Sequence, residues 1–525
     1  MAMAYGVDLL GQTMPLAAIP VPPRTSGPRR TVPIPVLRMR AGWVTFGLLA
    51  FGLVMLGYGL VMLGESLSAA SARPGALTMS MLLFGVHGLV FFLVVRGLDF
   101  PTPRSRLLLA AALIWGGVVA TSLSLSLETW LGNLLAAVAS QRFVADWGTV
   151  LTVPITEEGF KLLGVMAIVL LAPRQVNRAT DGLMYGAVVG LGFEEIENAM
   201  YAVQAAAAGN TGAPVIGQFL VRGLVSGWGL HIAWSAVAGA GAAWAYLHRD
   251  RPPVTRVAIA GLAFLVACGL HGWWDSPLAT FTSGGGPLLG MAVAVAPFVV
   301  VAIIAVRGQA GFAVRRLGEL RNPVVATPAE LAALGSPYRR YTARWNAYVR
   351  AGLGAARTVR QLQRAQAGLA MALARAEVPA VQGPVVGDAA TRGGDVAPAE
   401  LAEAEKAVLA TRELLSANGI WEASGGSPAT GLGWLALAAG LAGPVVMQAL
   451  LVFNAGAQWS TAALLGTMML LGGLAAVPLL LCNRTLRRGR GRGAPVDVRL
   501  GIGVLPGVAG FGLALLFLVT ALGLG

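Results

Sequence analysis

Four stretches of this chain set ionisable side chains inside otherwise apolar runs. Thr156-Glu157-Glu158-Gly159-Phe160-Lys161 holds two carboxylates and an ammonium, and Gly192-Phe193-Glu194-Glu195-Ile196-Glu197-Asn198 holds three carboxylates within four residues. Gly229-Leu230-His231 and His271-Gly272-Trp273-Trp274-Asp275 add two imidazoles and a further carboxylate. An ionisable group in the middle of a membrane span costs about 2.5 to 3.5 kcal/mol on insertion scales, so each asks for a partner or a purpose. Carboxylates and imidazoles are also the groups that take a proton from water or ligate a divalent cation.

Helical spacing suggests how these groups divide the work. Glu157 and Lys161 are four residues apart and pair along one face. Glu158 then points about 100° away, free to face a cavity and act on water as base. Glu194, Glu197 or Asn198, and Tyr201 fall on one stripe. Three neighbouring carboxylates cannot all stay ionised at low dielectric, so protonation, pairing or metal is expected there. His271 and Asp275, one turn apart, let the carboxylate orient the imidazole. His87 is expected to be structural, and Arg222 to snorkel or touch a substrate.

The elements that must carry these residues are membrane helices. The chain has 525 residues, 56% hydrophobic and 12% charged, against about a quarter charged in soluble domains. A span needs roughly 20 apolar residues, and eleven stretches qualify, near 42–63, 77–96, 106–127, 150–172, 182–206, 217–247, 255–278, 286–306, 430–454, 461–482 and 501–523. The site residues fall in the fourth to seventh. Gly182, Gly186 and Gly190 recur every four residues, a ridge for close helix approach in lipid.

The net charge of +14 belongs to loops between spans, so nucleic acid is not an expected partner. With the N-terminus cytoplasmic, 34 of the 38 Lys and Arg residues fall on the inner side, which predicts a cytoplasmic N-terminus and an extracytoplasmic C-terminus. Cys268 and Cys482, far apart in apolar runs, suggest neither a disulfide framework nor a thiolate metal site.

The organisation expected is an all-α polytopic protein: a disordered Pro/Arg-rich tail (1–40), an eight-span catalytic membrane domain (41–306), a cytoplasmic helical region with linker (307–429) and a three-span C-terminal region (430–525). Within the third part, Thr327-Pro328-Ala329-Glu330 reads as a capping box and 398–418 as a helix. Residues 307–376 hold 12 basic and 2 acidic residues, and 377–429 hold 3 and 8, so the two arms are expected either to pair or, for the basic one, to face lipid.

Glu157-Glu158-x-x-Lys161, Phe193-Glu194-x-x-Glu197 with Asn198 and Tyr201, His231, and His271-x-x-x-Asp275, in that order, resemble the PrsW family of intramembrane proteases, itself similar to the CAAX-processing proteases. The resemblance covers residues 40–306. It implies a peptidase of the plasma membrane that cuts membrane-anchored proteins, anti-sigma factors being the family's substrate class, near the outer membrane boundary. It places Glu157, Glu158, Glu197 and His231 or His271 in the active site. Glu195 and the extra cytoplasmic and C-terminal regions depart from the simple pattern.

Two mechanisms fit these residues. In one, His231, His271 and Glu197 hold a divalent metal, zinc being the expected ion, with Glu158 as base. In the other, a Glu activates water and His and Asp stabilise the oxyanion. Glu157 with Lys161 positions the site, Glu194 and Glu197 orient water or bind metal, and Asp275 orients His271. The competing function is a proton- or cation-coupled transporter using the same buried carboxylates.

Overall fold

The computed structural model describes residues 43–70, 74–98, 104–207, 213–225, 228–277, 286–377 and 393–417, with two short strands near the start of the chain. Strands β1 (Tyr5–Val7) and β2 (Thr13–Pro15) pair antiparallel, Gly6 opposite Met14. The remainder is helices and their connecting turns, so the expected all-α architecture holds with this ribbon as its addition.

The membrane part runs through α1 (Trp43–Ala70), α2 (Pro74–Leu98), α3 (Arg106–Val138, π-helical over Trp115–Ala120), α4 (Gln141–Leu171), α5 (Ala179–Ala207), α6 (Ala213–Leu220, prolonged by a π turn at Val221–Val225), α7 (Leu230–Leu247), α8 (Pro253–Asp275) and α9 (Gly286–Glu319). Among the described residues, four segments are long and apolar enough to cross a membrane: Phe46–Glu65, Pro74–Leu93, Arg106–Val138 and Pro253–Asp275. Their exposed Phe46, Leu53, Leu107, Val254 and Leu262 are side chains that hydrocarbon solvates better than water does. α4 and α5, at 31 and 29 residues, are also long enough for a core about 30 Å thick, but charged residues occupy their middles. The protein is thus a membrane protein. The count of eleven spans is not confirmed, and the last three expected spans lie outside the described residues.

Residues 217–247, expected as one span, form two helices. α6 ends in its π turn, and the chain passes through Gly229 at φ 74° before α7 begins. That left-handed conformation suits glycine, which has no Cβ to clash. His231, expected near mid-membrane, is therefore the second residue of a helix.

The glycine ridge packs α5 against α7. A Cβ at Gly186 would lie 2.1 Å from Ser235 O, and one at Gly190 would lie 2.1 Å from His231 O. The two backbones touch, and this contact sets Glu197 of α5 beside His231. Elsewhere α4 carries Pro154 inside the helix, one turn before Glu157. Proline supplies no N–H to the ladder, and Cys268 Sγ approaches Pro154 O at 3.5 Å from α8.

Beyond the membrane helices, α9 runs on past Arg307, where the soluble region was expected to begin. α10 (Pro328–Leu334) opens on the expected capping box: Thr327 Oγ1 accepts from Glu330 N at 3.3 Å, and Glu330 Oε2 accepts from Thr327 N at 2.9 Å. α11 (Pro337–Glu377) kinks at Ala351 and Gly352 and packs on α12 (Gly393–Ala417) through Val359, Leu362, Leu369, Val408 and Leu415. The two arms do meet, but the buried ion pair joining them opposes their net charges. Arg412 of the acidic arm donates Nη1 to Glu330 Oε1 at 2.6 Å and Nη2 to Glu330 Oε2. Its Nε donates to Val324 O at 2.7 Å.

Two outcomes follow. Gly186→Val overpacks a backbone contact and should lower stability by about 3 kcal/mol or more, since overpacking typically costs 1–3 kcal/mol around far looser contacts. Gly261→Ala, where a Cβ meets nothing within 4 Å, is the tolerated control, with thermal unfolding in detergent as the readout. Arg412→Met removes the buried Arg412–Glu330 ion pair and should destabilise the helical region by about 3–5 kcal/mol, read as loss of protease resistance of residues 310–377 and 393–417.

Candidate active site

Lys161, wholly buried on α4, is the centre of the polar cluster. Its Nζ lies 2.7 Å from Glu158 Oε1, 3.1 Å from Glu157 Oε2 and 2.8 Å from His231 Nδ1. An ammonium has three N–H donors, and these acceptors use all three. The Phe193 ring closes the remaining side, 4.0 Å from Nζ to its centroid. With Nδ1 accepting, His231 carries its proton on Nε2, which donates to Glu197 Oε2 at 2.9 Å. Arg222 donates to the same oxygen at 3.0 Å and to Asn198 Oδ1 at 2.6 Å.

His271, on α8, faces the cluster from the other side. Its Nδ1 is 3.2 Å from Glu158 Oε1, and its Nε2 is 3.4 Å from Asp275 Oδ2 and 3.8 Å from Glu157 Oε2. Trp234 stacks on the imidazole with centroids 4.3 Å apart, fixing its plane. Ser235 Oγ donates to Glu158 Oε2 at 3.3 Å.

The two adjacent carboxylates are placed differently from the expected split. Glu158 is fully buried between Lys161, His271 and Ser235, whereas Glu157 lines a cleft. That cleft, about 550 Å³, is also lined by Glu128, Glu197, Tyr201, Arg222, His231, His271 and Asp275. Both carboxylates contact Lys161 because residues three and four apart in a helix lie on neighbouring parts of one face.

The three carboxylates of α5 turn to three different partners. Glu194 Oε1 accepts from Gly229 N at the start of α7, so it anchors the helix that carries His231, and it does not line the cleft. Glu195 pairs with His87 Nδ1 of α2 at 2.8 Å, and His87 Nε2 is 3.0 Å from Gly223 O. His87 is structural as expected, with a partner that also accounts for the additional Glu195. Only Glu197 of the three faces the cleft. Tyr201 lies on the same stripe, with Arg222 4.0 Å over its ring.

Glu157, Glu158, His231 and His271 each offer one ligand atom, and these atoms all lie within 4.8 Å of one another. Two imidazoles and two carboxylates are a donor set suited in number and type to zinc or a similar divalent ion. The buried Glu/His cluster can therefore hold a metal. Glu197, expected as a ligand, stands behind His231 as its hydrogen-bonding carboxylate, the usual outer partner of a ligating histidine. The ammonium of Lys161 meets three of the same four residues, giving the cluster a cation of its own.

Sequence reasoning missed Glu128 because the third span was expected to end at 127, while α3 continues to Val138. The available signal was Thr121, Ser124, Leu125 and Glu128, recurring at helical spacing in an apolar helix. It also passed over Trp234 and Ser235, three and four residues after His231 and thus on its face.

Residues 104–304 match the sequence model of the PrsW family intramembrane metalloproteases. No curated protein and no solved structure matches the chain.

Glu195→Ala and His87→Ala should each lower stability by about 1–3 kcal/mol, the cost of leaving a buried polar partner unsatisfied. Neither should weaken divalent-ion binding at the Glu/His cluster. Thermal melts with and without added zinc check both halves.

Proposed function

Taking residues 104–304 as a PrsW family intramembrane metalloprotease domain, we propose that this chain hydrolyses a peptide bond of membrane-anchored, anti-sigma-factor-like proteins near the outer boundary of the plasma membrane. The N-terminus is cytoplasmic and the C-terminus extracytoplasmic, following the distribution of Lys and Arg. One observation carries the reading: in a buried Glu157/Glu158/His231/His271 set, with ligand-capable atoms within 4.8 Å, Glu157, His231 and His271 line a cleft large enough for several side chains.

In this reading Glu157 is the base. It faces the cleft and takes a proton from water as the water oxygen attacks the scissile carbonyl. As the C–N bond breaks, the same carboxyl returns that proton to the leaving amine. His271, held flat by Trp234 and oriented by Glu158 and Asp275, donates to the oxygen on which negative charge develops. Lys161 balances Glu157 and Glu158, so both are held in place without mutual repulsion. Glu197 and Arg222 fix His231, and Glu194 secures the start of its helix.

A divalent ion, zinc in this reading, would be held by Glu158, His231 and His271, with Lys161 giving up Nδ1 of His231; it would supply a Lewis acid that lowers the pKa of water and leave Glu157 free as the base. Glu197 acts from behind His231.

Purified enzyme should cleave members of a tagged panel of single-span membrane proteins. Glu157→Gln and His271→Ala should each lower kcat/KM by about 100-fold or more, the scale of a lost general base or oxyanion donor, and a chelator should abolish turnover that zinc restores. A folded enzyme whose variants cleave as wild type would refute the assignment.

A further inference from the structure

Glu128 is a cleft-lining carboxylate that the mechanism does not use. It sits on α3 with Thr121, Ser124 and Leu125, the face that this helix turns toward the cleft. Its Oε1 accepts from Thr156 Oγ1 at 2.9 Å, and Thr156 immediately precedes Glu157. The carboxylate is thus held beside the proposed base, on the wall made by α3 and α4.

Its surroundings set it apart from the other acids of the cleft. Glu157 has Lys161 and both imidazoles, Glu197 has His231 and Arg222, and Asp275 has His271. Among the described residues, no Lys, Arg or His forms an ion pair with Glu128, and its only hydrogen-bond donor is the Thr156 hydroxyl. Arg222, the fixed cation lining the cleft, is committed to Glu197 and Asn198. A half-buried carboxylate without a counter-charge is unfavourable in a poorly solvated cleft, and a cation entering the cleft relieves that penalty through charge-assisted hydrogen bonds. An acidic side chain entering there is repelled, so one carboxylate supplies both selection and rejection.

We propose that Glu128 forms a subsite for a positively charged side chain of the substrate, a lysine or arginine close to the scissile bond. This rests on the peptidase reading above, and it narrows the substrate class to membrane-anchored proteins with a basic residue next to the cut. Glu128 is a specificity residue and takes no part in the bond-breaking step.

The test uses the full chain in detergent micelles and a set of labelled single-span peptides identical except at one scanned position, which is Lys, Gln or Glu. Binding by fluorescence anisotropy and cleavage by kcat/KM are measured for wild type, Glu128→Gln and Glu128→Lys. The Gln variant retains an oxygen to accept from Thr156, so unchanged melting is expected of it. Wild type should favour the Lys peptide over the Glu peptide by about 10- to 100-fold, the range of a charge-assisted hydrogen bond. That preference should collapse in Glu128→Gln and invert in Glu128→Lys. The same preference in all three proteins, or none in wild type, overturns the subsite. A charge preference in binding that follows residue 128, without cleavage of any peptide, upholds the subsite and sinks the peptidase reading instead.

Discussion

The ammonium of Lys161 is wholly buried, and the geometry of the site depends on how its charge is met. Glu157, Glu158 and His231 accept its three N–H bonds, and Phe193 covers the rest. Removing a partner from a buried ion network leaves an uncompensated charge, a penalty of several kcal/mol, so the four groups hold one another. The consequences spread outward: Nδ1 of His231 is fixed as an acceptor, its Nε2–H points to Glu197, and Glu197 draws in Arg222 from α6. One cation on α4 thereby ties together side chains from three other helices.

That arrangement needs backbones closer than ordinary side chains allow. α5 and α7 meet through glycine, and α7 begins abruptly after Gly229, with Glu194 accepting from the Gly229 amide. The break in what would otherwise be a single span places His231 at a helix start. Irregular backbone at membrane depth is tolerated where its polar groups are satisfied by protein or line a cavity. Here the π turn of α6 supplies Gly223 O to His87 and Arg222 to the cleft, so the irregular segment serves both ends.

Much of this was legible in the sequence, because ionisable residues in apolar runs stand out and helical spacing is simple arithmetic. The Glu157–Lys161 pair, the His271–Asp275 pair, the glycine ridge and the capping box at Thr327 all follow from spacings of three or four residues. What spacing could not settle was direction between helices. Glu194, Glu195 and Glu197 sit within four residues, yet their partners lie on α7, α2 and α6 together with α7, and only the packing of those helices separates them. The different placement of Glu157 and Glu158 has the same origin: both lie within reach of Lys161, and spacing alone does not say which one meets the cleft. Glu128 escaped notice because a hydropathy boundary fell one residue short of it. For the two arms beyond α9, net charge left pairing and lipid contact both open, and it did not give the chemistry of their meeting, which is an apolar seam plus one ion pair of opposite sense.

The central claim is that this buried cluster hydrolyses a peptide bond within reach of the bilayer. The most direct measurement reconstitutes the purified chain with a single-span substrate in liposomes prepared in oxygen-18 water, and reads the products by mass spectrometry while a fluorescent reporter follows cation and proton flux. The account predicts a new substrate C-terminus carrying one oxygen-18, cut at or inside the edge of the span, with no flux. Intact substrate together with a proton or cation flux that requires Glu157 would contradict it.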